Sequence, residues 1–169
     1  MISFNTSTLH TFKIVVSTDS SVKMTEEQKK NYFNTGELND IEVNSDATWF
    51  TLRTLSITDR EQAEIKAGAF TRSELGKLLW VEAPNDTREK ALWHNRLSDE
   101  EKEALAKYEK YLDRSYIEYA KASLVAINDK EVDSNILDDL SPSDKSNVIY
   151  EIVIHLTRES TLSEAGKLP

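Results

Sequence analysis

Three histidines, His10, His94 and His155, are the first residues to test for chemistry. An imidazole can ligate a metal or move a proton near neutral pH. Metal sites built from local sequence repeat their ligands at short fixed steps. These three lie far apart and offer no such spacing, so His94 and His155 read as helix residues at the edge of a core. There is no cysteine, which removes disulfides, thiolate ligands and a thiol nucleophile. In "DKEVDSNILDDL", Asp129, Glu131, Asp133 and Asn135 alternate as the early ligands of a calcium loop do. The sixth place of such a loop wants Gly and holds Ser134; the twelfth wants a bidentate Glu and holds Leu140. The stretch reads as a solvated acidic loop. Neighbouring carboxylates such as Asp138-Asp139 and Glu100-Glu101 follow from a total of 30 acids and mark no acid–base pair. No G-x-S-x-G, glycine-rich phosphate loop, kinase or zincin signature occurs. The expectation is no enzyme, no cofactor and no metal.

Trp49, Trp80 and Trp93 could stack on nucleobases. The charge speaks against it: a net −9 and a pI near 4.9 suit neither a phosphate backbone nor an anionic membrane surface. The tryptophans therefore read as core or interface groups, and neither nucleic acid nor membrane is an expected partner. No apolar run reaches the ~18 residues of a spanning helix. The opening "MISFNTSTLHTFKIVV" has no cationic stretch ahead of an apolar one and reads as no signal peptide. A cytoplasmic location follows as the expectation.

These residues need elements to position them. A chain of 169 residues is read as one compact domain, with a β-containing segment over 1–56 and a helical region over 57–169. Hydrophobic residues are 38%, below the ~45–50% of an average globular chain, which points to an elongated or partner-dependent fold. Four glycines and three prolines are too few for a turn-rich β-sandwich. "TFKIVVST" and "DATWFTLRTLS" are rich in β-branched and aromatic residues and predict two paired strands. In the second, Thr48, Phe50, Leu52 and Thr54 form the more uniform face. Asn34-Thr35-Gly36 marks a turn or a helix end. Thr58 and Glu61 have the spacing of a capping box, as do Ser98 and Glu101. "NDTREKALWHNRL" is a short helix candidate.

From Ser98 to about Ile127, Leu105, Tyr108, Leu112, Ser115, Tyr119, Ala122 and Ala126 recur at helical steps and predict one long helix with an aromatic stripe. Ser141-Pro142-Ser143-Asp144 then announces another, with Ser as cap and Pro at the first helical position. "VIYEIVIHL" would also suit a strand, and the cap decides for a helix, with Ile149, Ile152, Val153 and Leu156 buried. A further short helix follows it. The expected class is α+β, mainly helical: two N-terminal strands followed by a helical bundle led by the 98–127 helix.

The order of these pieces resembles the tail assembly chaperones of long-tailed bacteriophages. "WFTLRTLSITDREQAEIKAG" is similar to the extended segment and capped helix with which their cores begin. "ASLVAIND", the acidic loop anchored by Val132, Ile136 and Leu137, and "LSPSDKSNVIYEIVIHLTRESTLSEAGK" resemble their second half. Leu140, Ser141, the helix through Leu156 and Leu162-Ser163 stand at the matching places. The resemblance covers about 46–67 and 119–168, and a block over about 71–114 is added. It implies a non-enzymatic protein of the host cytoplasm that binds tail-tube or tape-measure subunits during virion assembly. A structural component of the tail or neck, retained in the virion, is the alternative, as is an acidic adaptor or DNA mimic. Lys102, Lys107, Lys110, Arg114 and Lys121 interrupt the acids of the long helix and spoil a duplex-like rail of negative charge. Trp80 and Tyr116 are the candidate partner-binding residues, and self-association is left open.

Overall fold

The computed structural model describes residues 10–68, 70, 73, 74, 76, 84 and 86–165, with side chains of the last helix described to Ser160. The class is α+β and mainly helical. The chain divides into two compact units, residues 1–63 with 116–169, and residues 64–115. This division does not follow the 56/57 boundary read from sequence, because a strand from the C-terminal half completes the N-terminal sheet.

In the first unit, β1 (Thr11–Val15) pairs antiparallel with β4 (Trp49–Arg53), so the expected strand pair forms. Alternation left the inward face of β4 open, and the structure buries Phe50 and Leu52, with Thr54 just beyond the strand. Between them lie a two-stranded ribbon of β2 (Val22–Lys23) and β3 (Glu42–Val43), and helix α1 (Glu26–Thr35). Thr25 and Gln28 cap α1 reciprocally, and Gly36 ends it at φ 75°, in the left-handed region that glycine tolerates. Tyr32 on α1 joins Val15, Val22 and Ala47 in a small core.

Helix α2 (Ile57–Ala67) starts earlier than the Thr58/Glu61 spacing predicts. Ser56 is the cap: its Oγ accepts from the Asp59 amide at 3.1 Å, and its own amide donates to Asp59 Oδ2 at 2.9 Å. The same four-residue spacing recurs two residues upstream, and Arg53 decides between the two. Its guanidinium donates to both Asp59 oxygens at 3.0 and 3.1 Å, and this pairing first, with the Ser56 bonds, holds the carboxyl well below the usual range.

The long helix, α4 (Asp99–Ser123), begins as read, with Ser98 Oγ accepting from the Glu101 amide and Glu101 Oε2 from the Ser98 amide. It stops four residues before the expected Ile127. Leu124–Ile127 is instead strand β5, hydrogen-bonded to β4. The sheet order is β1-β4-β5-β6, with β6 at Lys130–Glu131. Asn128 and Asp129 both take positive φ (49° and 61°) in the two-residue turn, the pattern of a tight hairpin. That turn is fixed to β4: Asn128 Oδ1 accepts from the Trp49 amide, and the Asn128 amide donates to the Trp49 carbonyl, both at 2.8 Å.

A 3-10 turn at Ser134–Asp138 seats Leu137 in the core, while Ile136 stays exposed. Lys121 and Lys145 both bind Asp138 there. Helix α5 (Pro142–Ala165) has the predicted Ser141 cap, with Oγ accepting from the Asp144 amide at 3.2 Å. It is one continuous helix where a helix and a separate short one were expected. Ile149, Ile152 and Leu156 are buried and pack with Ile14, Val16, Phe50, Leu52, Leu124 and Leu137; Val153 is half-buried.

In the second unit, α3 (Thr87–Arg96) carries Asp86 as its N-cap. Leu97 after it is buried, but Leu92 is exposed and Trp93 half-buried. Phe70, Tyr108 and Tyr111 form an aromatic group, with centroids 5.5 to 6.5 Å apart. Among the described residues no helix is long and apolar enough to cross a membrane.

Candidate functional site

Helix α5 presents two sets of side chains that helical spacing places on opposite sides. Glu151, His155, Arg158 and Glu159 lie on one. Val153, Leu156, Thr157 and Ser160 lie on the other.

The first set is sealed. Glu151 is only 2% exposed, and its carboxylate accepts from the Ser17 amide at 2.7 Å and the Ser17 hydroxyl at 2.6 Å. Burial raises its pKa against the opposing effect of those two bonds. Alongside, the Tyr32 hydroxyl donates to the Val15 carbonyl at 3.0 Å and accepts from the Val15 amide at 3.1 Å. One side chain thus satisfies both backbone groups of the last residue of β1. Burial pushes the Tyr32 phenol up to about 12.

His155 is wholly buried, its ring centroid 4.6 Å from that of Tyr32 and 6.0 Å from that of Phe33. Its Nδ1 lies 2.6 Å from Arg158 Nη1. A guanidinium only donates, so Nδ1 is the acceptor and the proton of the neutral ring sits on Nε2. Nε2 has no hydrogen-bond partner among the described residues. Burial, then the adjacent Arg158 charge, pull the pKa down to about 3. Arg158 also donates to the Tyr32 carbonyl at 3.4 Å and to Glu159 Oε1 at 2.7 Å, and Glu159 Oε2 lies 3.2 Å from His10 Nε2. Gly36 lies beside this group at φ 75°, a conformation that favours glycine, and a Cβ there would displace the Arg158 guanidinium. The partners of this cluster are Ser17 just past β1, the Tyr32 carbonyl of α1, His10 ahead of β1, and one another. Its chemistry is spent on tying α5 to those elements.

The second set borders an open cleft of about 290 Å3. Leu55 and Arg60 supply one wall, Tyr116 and Tyr119 of α4 another, and Val153, Leu156, Thr157 and Ser160 of α5 the third. All eight belong to the first unit. Each arrives for a local reason. The Ser56–Asp59 cap sets the start of α2 and so the position of Arg60. Helical spacing on α4 brings Tyr116, beside the stripe, and Tyr119, within it, to one cleft, three residues apart. Tyr116 packs partly against the main core. Thr157 Oγ1 and Ser160 Oγ donate to the carbonyls of Val153 and Leu156 on their own helix, at 2.9 and 2.7 Å. The Arg60 guanidinium and the Tyr116 hydroxyl have no hydrogen-bond or ion-pair partner among the described residues. The arrangement is an apolar floor with two donors that none of the described residues engages.

Of the two candidate partner-binding residues, Tyr116 lines this cleft and Trp80 lies outside the described residues. The structure does not bring the three histidines together: His10 and His94 are exposed, and His155 is central to the core rather than at its edge. Among the described residues no three His, Asp or Glu side chains converge as metal ligands. The sealed cluster was missed by sequence reading. Its one sequence signal is Glu151 and His155 four apart inside an otherwise apolar helical face. Arg60 carried no signal, because its role depends on tertiary neighbours. Comparison with family models, with curated proteins and with solved structures finds no match.

Proposed function

We propose that this chain is a non-enzymatic binding protein of phage virion assembly, and that it engages a tail-tube or tape-measure subunit in the host cytoplasm. The observation that carries the binding reading is the cleft. Tyrosine and aliphatic side chains form a concave, solvent-open surface on a folded unit, with Tyr116 in its wall. Large amphipathic side chains in desolvated pockets are the groups that carry affinity between proteins. The charged surface around them would set approach and solubility rather than strength. The assembly reading rests on the residue pattern of the resemblance, to which the Ser141-capped helix and the buried Leu137 anchor lend support.

Co-expression with tail-tube and tape-measure proteins from the same genome tests it. The expected result is a soluble complex with one of them and no copy of this chain in finished particles. Stoichiometric amounts in purified virions would favour a structural component of the tail or neck. Failure to solubilise or retain either partner would contradict the proposal.

A further inference from the structure

We propose that the cleft takes a peptide segment of another protein that presents one aliphatic or aromatic side chain next to a carboxylate, with Arg60 and the Tyr116 hydroxyl holding the carboxylate. This rests on the partner-binding reading and specifies the chemistry of the partner. Size supports a side chain rather than a whole small molecule: about 290 Å3 lies at the lower edge of the roughly 300–1,000 Å3 of small-molecule sites. The floor formed by Leu55, Val153 and Leu156 would accept an apolar group by excluding water from it. Charge complementarity then selects its neighbour. The Arg60 guanidinium stands in the cleft wall with no ion-pair or hydrogen-bond partner among the described residues. A guanidinium offers paired donors that match the two oxygens of a carboxylate. Tyr116, also without a partner, adds a third donor in the same cleft. A neutral apolar segment would leave both groups half-desolvated and unpaired, which binding surfaces disfavour.

The test is an NMR titration of the full chain with two blocked peptides, acetyl-Leu-Phe-Asp-Asp-amide and its Asn-Asn counterpart, reading methyl and amide shifts. The expected result is saturable shifts at Leu55, Val153 and Leu156, with the acidic peptide binding at least tenfold more tightly. Arg60→Gln should erase that ratio while leaving the spectrum of the free protein otherwise unchanged. Val153→Trp, which fills the floor, should abolish binding of both peptides. Equal affinity for the two peptides, shifts that map elsewhere, or no saturable shift would overturn the inference. Co-expression separates its failure from that of the assembly reading. A tail protein captured equally by wild type and Arg60→Gln leaves the assembly reading standing without this inference. Peptide recognition with no tail protein captured leaves the reverse.

Discussion

On the side of α5 that faces β1 and α1, most polar groups meet fixed partners, with His155 Nε2 the exception among the described residues. Ser17 binds Glu151, Arg158 binds His155, and Tyr32 closes both backbone groups of Val15. On the other side, polar and apolar groups share a wall, but the Arg60 guanidinium and the Tyr116 hydroxyl have no hydrogen-bond or ion-pair partner among the described residues. Both sides mix charge, hydroxyl and hydrocarbon, so composition does not separate them. Closure does. Buried polar groups must find partners within the fold or carry a desolvation penalty, so the sealed side contributes to stability. Donors left in water at the mouth of an apolar hollow lose little in the free protein and are ready to gain in a complex. The contrast predicts that changes on the sealed side alter folding and changes on the open side alter binding.

The largest effect that sharpens this contrast is with pH. His155 is held neutral by the fold, its pKa lowered from 6.5 to about 3 by burial and then by Arg158, with Glu159 opposing. Its contribution is complete above pH 6.5 and is lost as pH falls toward 3. Over that span the loss is on the order of 5 kcal/mol, at ~1.4 kcal/mol per unit. Glu151 has the opposite sign. Its pKa is raised, chiefly by burial, with the Ser17 bonds and the Lys29 charge opposing, so its contribution is present below pH 4.5 and is lost as pH rises through the raised value. Acid unfolding should therefore be shallower than His155 alone would give. Glu151→Gln, which removes the opposing titration, should steepen it. Denaturant titrations at several pH values measure this; an unchanged slope would break the assignment.

Glu151→Ala leaves two Ser17 donors without their acceptor and should destabilise by about 2–4 kcal/mol. Chemical denaturation reads the difference, and a loss below the error of the measurement would mean that water replaces the carboxylate. Gly36→Ala is smaller, about 2 kcal/mol, because a positive φ and the displaced Arg158 guanidinium act together. Removing the obstruction in Gly36→Ala/Arg158→Ala should recover less than expected, since Arg158 also partners His155. Tyr116→Phe is the smallest in stability, within about 0.5 kcal/mol. It should still weaken a complex measurably. A Tyr116→Phe protein that binds its partner with unchanged affinity would remove the hydroxyl from the open side of the comparison.

Much of the scaffold was legible because its signals are local. The β-branched and aromatic run in "DATWFTLRTLS" forms the strand it predicts, paired with β1, and the caps at Ser98 and Ser141 stand where the residues place them. Two signals were legible but ambiguous. Ser56/Asp59 and Thr58/Glu61 share one spacing, and only the Arg53 side chain, folded back from β4, chooses between them. The run Leu124–Ile127 continues a helical period as well as a strand, and pairing with β4 makes it a strand. The sites were less legible. Glu151 and His155 look like the polar residues of any amphipathic helix until β1 and α1 close over them. Tyr116 was singled out as an apolar position beside the core, outside the α4 stripe, but Arg60 comes from another helix, and only the tertiary fold brings both to one cleft.

Hydrogen–deuterium exchange on the complex recovered by co-expression tests the division of α5 most directly. The predicted footprint is partner-dependent protection over Tyr116–Tyr119 and Val153–Ser160, with α1 and β1 exchanging as in the free protein. Protection confined to α1, or no complex to footprint, would contradict the assignment of binding to the open side.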